Sequence, residues 1–131
     1  MAAPNIVNVA TITGITTFVS GISTISITTG VSTIVTNAAS SGKVLKINSL
    51  VATAIGDTTG VSVQLYNSGG QHTAAGATVS LASTMTVPVF SSLAVIDKTN
   101  SIYLEEGHQI GCTAQSNAGT IDVVCSYEDI S

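Results

Sequence analysis

The chain has 131 residues, enough for one domain with a substantial core. Charged residues make up 8% of it, against about a quarter in ordinary soluble domains. Three lysines, no arginine and a net charge of −4 exclude the basic footprint of a nucleic-acid binder, and 44% hydrophobic content excludes disorder.

The start, "MAAPNIVNV", lacks the basic and compact apolar regions of a signal peptide, so a soluble, unprocessed chain made inside the cell is expected. No ionisable side chain precedes Lys43. Serine and threonine interrupt every apolar run, and no stretch of about 18 apolar residues could span a bilayer as a helix. Three related segments, "GITTFVS", "GISTISI" and "GVSTIVT", begin at Gly14, Gly21 and Gly30. Glycine tolerates the positive φ of a turn, so these read as short strands between glycine turns. Residues 1–40 are therefore expected to form an N-terminal β-arm.

Residues 41–131 are expected to be the compact domain. In "GKVLKINSL" Val44, Lys46 and Asn48 alternate against Leu45 and Ile47. In "GVSVQLY" Val61, Val63 and Leu65 point inward, with Ser62, Gln64 and Tyr66 on the other face. "NSGGQHTAAGA", Asn67 to Ala77, is loop-like, and Pro88 marks an edge or a bulge. "SIYLEEGHQIGCTAQ" and "TIDVVCSYEDI" close the chain as two strands joined by "SNAG", a hairpin turn from Ser116 to Gly119. β-Branched residues at period two, with turn signals every 8–12 residues or so, indicate an all-β fold. No apolar stripe with helical spacing competes with it.

Catalytic templates fail on residue type. "SSGKV", Ser40 to Val44, resembles the end of a phosphate-binding loop, but Asn37 stands where its first glycine belongs and Val44 replaces the metal-binding hydroxyl. It reads as a turn into a strand. "EEGH" places Glu105, Glu106 and His108 together for acid–base or metal chemistry, yet a polar corner turned by Gly107 accounts for the same residues. His72 reads as solvated in its loop, and Asp57 as a turn residue rather than part of a calcium cage. Cys112 and Cys125 could form a disulfide or remain two buried thiols of a reduced protein, the reading adopted here. No catalytic, cofactor-binding or metal site is expected. A sugar platform would draw on Tyr66, Tyr103, Tyr127, Phe18 or Phe90, with both phenylalanines expected to pack.

Ordering some 40 arm residues costs on the order of 40–60 kcal/mol in backbone entropy, equivalent to burying roughly 2,000 Å² of apolar surface before hydrogen bonds are counted. Uncovered strands of this kind invite edge pairing. The arm is thus expected to be covered by other subunits, with Ile6, Val7, Val9, Ile12, Ile15, Phe18, Ile22, Ile25, Ile27, Val31 and Ile34 as the candidate assembly interface.

"PNIVNVATITG", "SSGKVLKINSL", "TVPVFSSLAVID", "SIYLEEGHQI" and "VVCSYEDIS" together resemble a family of small virion structural proteins of tailed phages of marine cyanobacteria and related hosts. The family has Gly-Asp where this chain has Gly107-His108. "YLEEGHQI" is also similar to the corner at which trimeric jelly rolls reverse between sheets. The resemblance implies a virion protein assembled in the host cytoplasm, with no enzymatic activity and no cofactor.

The expected architecture is an antiparallel, jelly-roll-like β-sandwich at residues 41–131 carrying the β-arm at 1–40. The expected function is capsid decoration in many copies, as a homo-oligomer on other virion proteins such as the major capsid protein, without nucleic-acid or membrane binding. The alternatives are a neck or tail accessory protein and, from another class, a carbohydrate or host-surface binding module. An enzyme using His108 or Glu106 is the third class.

Overall fold

The structure is a computed structural model that describes residues 10–22, 32–67, 78–114 and 120–131. Its described residues form β1 (Ile12–Ile22), β2 (Ser32–Thr36), β3 (Val44–Ala54), β4 (Thr59–Asn67), β5 (Thr78–Val87), β6 (Ser92–Ile96), β7 (Ile102–Leu104), β8 (His108–Ala114) and β9 (Ile121–Ile130). One turn of 3-10 helix, Lys98–Asn100, separates β6 from β7; Asp97 caps it by accepting from the Thr99 and Asn100 amides.

Two antiparallel sheets pack face to face. The first has the order β1-β9-β3, with β6 and β7 sharing the far edge of β3: β6 pairs with Leu50–Thr53 and β7 with Leu45–Ile47. The second has the order β2-β8-β4-β5. Treating β6 and β7 as one interrupted strand, this is the jelly-roll order, in which the chain repeatedly crosses between sheets. The sandwich core lies between them, with Ile47, Leu50, Leu104, Ile110, Ile121, Val61 and Val63 fully enclosed. Alternation puts these residues inward, because successive side chains leave opposite faces of a strand.

Four sequence expectations change. First, β1 and β2 are not an arm beside a finished sandwich. β1 pairs with β9 from Ile12↔Ile130 to Ile22↔Ile121, and β2 pairs with β8 from Ser32↔Cys112 to Thr36↔Gln109. The boundary expected at 40/41 falls in the crossover from β2 to β3, inside one sandwich. The chain's own strands supply the hydrogen-bonding partners that other subunits were expected to provide.

Second, Gly14 and Gly21 do not separate short strands; both lie within the 11-residue β1. Gly21 has φ +67 at a register shift between Val19 and Ile22, so its freedom serves a bulge. Third, β8 and β9 are not a hairpin. They belong to opposite sheets, and Cys112 and Cys125 reach the shared core from either side. The "SNAG" turn, His72 and most of the loop from Asn67 to Ala77 lie outside the described residues.

Fourth, Phe18 and Phe90 do not pack; they are 73% and 78% exposed. Other expectations agree with the fold. Val61 and Val63 point into the core, and Pro88 follows the edge strand β5. Gly107, at φ +81, turns the chain from β7 in the first sheet to β8 in the second.

Candidate functional site

Of the eleven candidate interface residues, Ile6, Val7, Val9, Ile25, Ile27 and Val31 lie outside the described residues. Ile22 and Ile34 are a correction: they are 3% and 7% exposed and belong to the chain's own core, so neither is available to a partner. Their strands face the opposite sheet at these positions. Ile15 is half-buried opposite Tyr127. Ile12 and Phe18 remain on the surface, and register shows what surrounds them.

Phe18 sits opposite Val124, Val124 opposite Val51, and Val51 opposite Ala94. These four side chains form one apolar row across every strand position of the first sheet, on its outer face. With strands about 4.8 Å apart the row spans about 14 Å. Val124 is 44% exposed, in the middle of the sheet where an ordinary solvent-facing position carries a polar residue.

Hydroxyl rows flank it. On one side Thr16, Ser126 and Ser49 are in register, with Thr16 Oγ1 and Ser126 Oγ hydrogen-bonded at 3.0 Å. On the other, Asp122, Thr53 and Ser92 are in register; Thr53 Oγ1 and Ser92 Oγ are 2.8 Å apart. Asp122 Oδ1 accepts from the Gly21 amide at 2.9 Å. Among the residues of these three rows Asp122 alone is charged. Farther along, Lys46 lies between Glu128 and Tyr103. Beyond them Ile12 begins a second row with Ile130 and Val44, both buried.

The "SSGKV" and "EEGH" motifs are neighbours in space. The Gly42 amide donates to Glu106 Oε1 at 3.2 Å, the Gly107 amide donates to the Asn37 carbonyl at 2.8 Å, and the Asn37 amide donates to the His108 carbonyl at 2.9 Å. These contacts fasten the β2–β3 crossover to the β7–β8 corner. Glu105 is exposed, and its carbonyl accepts from the His108 amide at 3.1 Å. Ser40 and Gly42 have positive φ and Val44 opens β3, the turn into a strand read from the sequence. Asp57 Oδ1 accepts from the Thr58 amide in an exposed bend.

Cys112 and Cys125 are buried and free. Burial, then the nearby Cys125 thiol, pushes the Cys112 thiol up to about 12, and burial does the same to Cys125. Such thiols are poor nucleophiles and poor metal ligands. Among the described residues no group of three or more His, Cys, Asp or Glu is placed to hold a metal ion. No described helix is long and apolar enough to cross a membrane. No family model, curated protein or solved structure matches the chain.

Val51, Ala94 and Val124 were missed as interface candidates because each is an ordinary apolar residue in its own strand. Only register sets them beside Phe18.

Proposed function

We propose that this chain is a non-enzymatic structural protein of a virus particle, bound in many copies as capsid decoration, and that it joins other copies and the capsid through the outer face of its first sheet. The observation that carries the reading is the exposed apolar row Phe18–Val124–Val51–Ala94. A continuous apolar band between hydroxyl-bearing rows, in which Asp122 is the one charge, is unfavourable in water and suited to flat contact with another protein surface. The resemblance of "SIYLEEGHQI" and "VVCSYEDIS" to phage virion proteins supports the same role.

The test uses Val124→Lys. Val124 lies at the centre of the row and is partly exposed, so the fold tolerates a lysine there. Sedimentation of the wild type should show an oligomer, and the variant should dissociate at least about tenfold more readily, because the ammonium would have to leave water at the centre of an apolar row. Its melting temperature as a dilute monomer should be unchanged. A wild type that stays monomeric at high concentration, and is absent from purified particles, overturns the reading. A copy number in the hundreds per particle would indicate shell decoration; a multiple of five or six, up to a few tens, would indicate the neck or tail.

A further inference from the structure

A second surface lies at the edge of the sandwich where β5 of the second sheet meets β6 of the first. A cleft of about 190 Å³ opens between them, lined by Leu81, Ala82, Met85, Leu93, Ala94 and Val95. All of these are apolar, and Met85 is 47% exposed. Main-chain pairing does not account for an occupant. β5 carries two register shifts against β4, between Val61 and Val63 and between Val63 and Gln64. At the first of them Thr84 takes a φ of +50, and its amide donates to Ser62 Oγ at 2.9 Å. Such bulges bend an edge away from strand addition, so a partner has to enter by a side chain. The volume is below the roughly 300 Å³ at which ligand pockets begin, and the Met85 thioether favours an aromatic ring.

The same edge supplies a ring. Phe90 lies in the turn from β5 to β6, three residues before Leu93 and so within about 10 Å of it. Its φ of +63 is costly for an aromatic residue, and its ring is 78% exposed. Backbone bonds alone hold this turn: the Phe90 amide donates to the Ala54 carbonyl at 2.7 Å, and the Ser91 amide to the Pro88 carbonyl at 3.0 Å. The fold gains no packing from the ring and bears the strain of its position. Strain without a return to the fold is the mark of a side chain used elsewhere.

A ring and a cleft on one edge are self-complementary. A two-fold axis set midway between them brings the ring of each copy to the cleft of the other, so both are filled at once. Phe18, another exposed ring, lies on β1 at the opposite edge of its sheet; seated in the cleft it would make a head-to-tail contact that leaves one ring and one cleft unfilled in any open row of copies. No charged residue occurs from Thr78 to Ile96, so two such edges meet without taking a charge out of water. Asp57 and Asp97, beyond the two ends of this stretch, are exposed. We infer that the β5–β6 edge is an interface between two copies of this chain, with Phe90 of each copy seated in the cleft of the other.

The test is made on the full chain carrying Val124→Lys, which disables the first sheet's outer face, so that either interface can fail without the other. Sedimentation of this variant over rising concentration should show a monomer–dimer equilibrium. Adding Phe90→Gly should weaken the dimer at least about a hundredfold, since each dimer loses two buried rings. In dilute solution the same substitution should raise the urea midpoint, which separates loss of the dimer from loss of the fold. When Phe90→Cys and Met85→Cys chains are mixed, a short bismaleimide should link one kind to the other in preference to like with like. A Val124→Lys chain that stays monomeric up to about a millimolar overturns the inference and leaves the first sheet's role standing. So does a dimer indifferent to Phe90→Gly, a dimer lost on Phe18→Ser in its place, or crosslinking that favours like with like.

Discussion

Phe90 shows what a single residue contributes to this surface. Its φ of +63 lies in the left-handed region, where an aromatic side chain is strained. The Phe90 amide donates to the Ala54 carbonyl at 2.7 Å, and the Ala54 amide to the Ser91 carbonyl at 3.1 Å; these bonds hold the turn while the ring stays in solvent. Phe90→Gly should therefore stabilise the chain by about 0.5–1 kcal/mol, the strain relieved less the added entropy of the unfolded state. A higher urea midpoint at unchanged m-value is the expected result, and a lower one would mean that the ring packs. The two thiols act oppositely. Their folded pKa values, about 12, stand above the ordinary 9.0, so the unfolded chain releases these protons first as pH rises. Their contribution is complete below pH 9 and is lost between 9 and 12, at up to about 1.4 kcal/mol per pH unit for each thiol. Urea unfolding across that window should show an alkaline decline that is shallower in Cys112→Ala.

At the scale of elements, β1 and β2 complete the jelly roll. Without them β9 and β8 become unpaired edges, and the core loses Ile22, Ile34 and Val35. Burying each such side chain is worth about 1.5–3 kcal/mol, so three of them together reach the scale of a small domain's whole stability. Removal of residues 1–40 should leave an unfolded chain, with collapsed amide dispersion and no strand signal in circular dichroism. A folded 41–131 fragment would restore the arm-plus-domain organisation expected from the sequence. That expectation came from an estimate of entropy and burial that was sound for the segment in isolation. It failed because the chain supplies β9 and β8 as partners, and their paired residues lie 73 to 118 positions away in sequence.

For the whole molecule, charge is divided between the sheets. No Asp, Glu, Lys or Arg occurs in β2, β4, β5 or β8, whereas Lys46, Asp122 and Glu128 stand on the outer face of the first sheet. Ser62, Gln64, Gln109 and Thr113 occupy the outer face of the second sheet and are nonetheless buried, so β4 and β8 are enclosed on both faces. A charge there would have to leave water without compensation. The low charge that pointed to assembly thus has a second cause within the chain. The surface argument for assembly now rests on the first sheet, whose outer face is open, and on the β5–β6 edge.

Much of this was legible locally. Alternation in Val61–Tyr66 assigned the inward face of β4, the β-branched composition announced strands throughout, and "EEGH" marked a corner. The partners were not legible. Nothing in "GITTFVS" says that Phe18 stands beside Val124, and nothing local says that Met85 and Leu93 line one cleft between β5 and β6. By itself the sequence determined that these segments are strands and which side of several of them is dry, because period two is a property of each strand alone. The tertiary structure decided which strands meet, and with them the apolar row and the edge cleft, because backbone pairing is nearly indifferent to sequence and is selected by the closure of two sheets over one core.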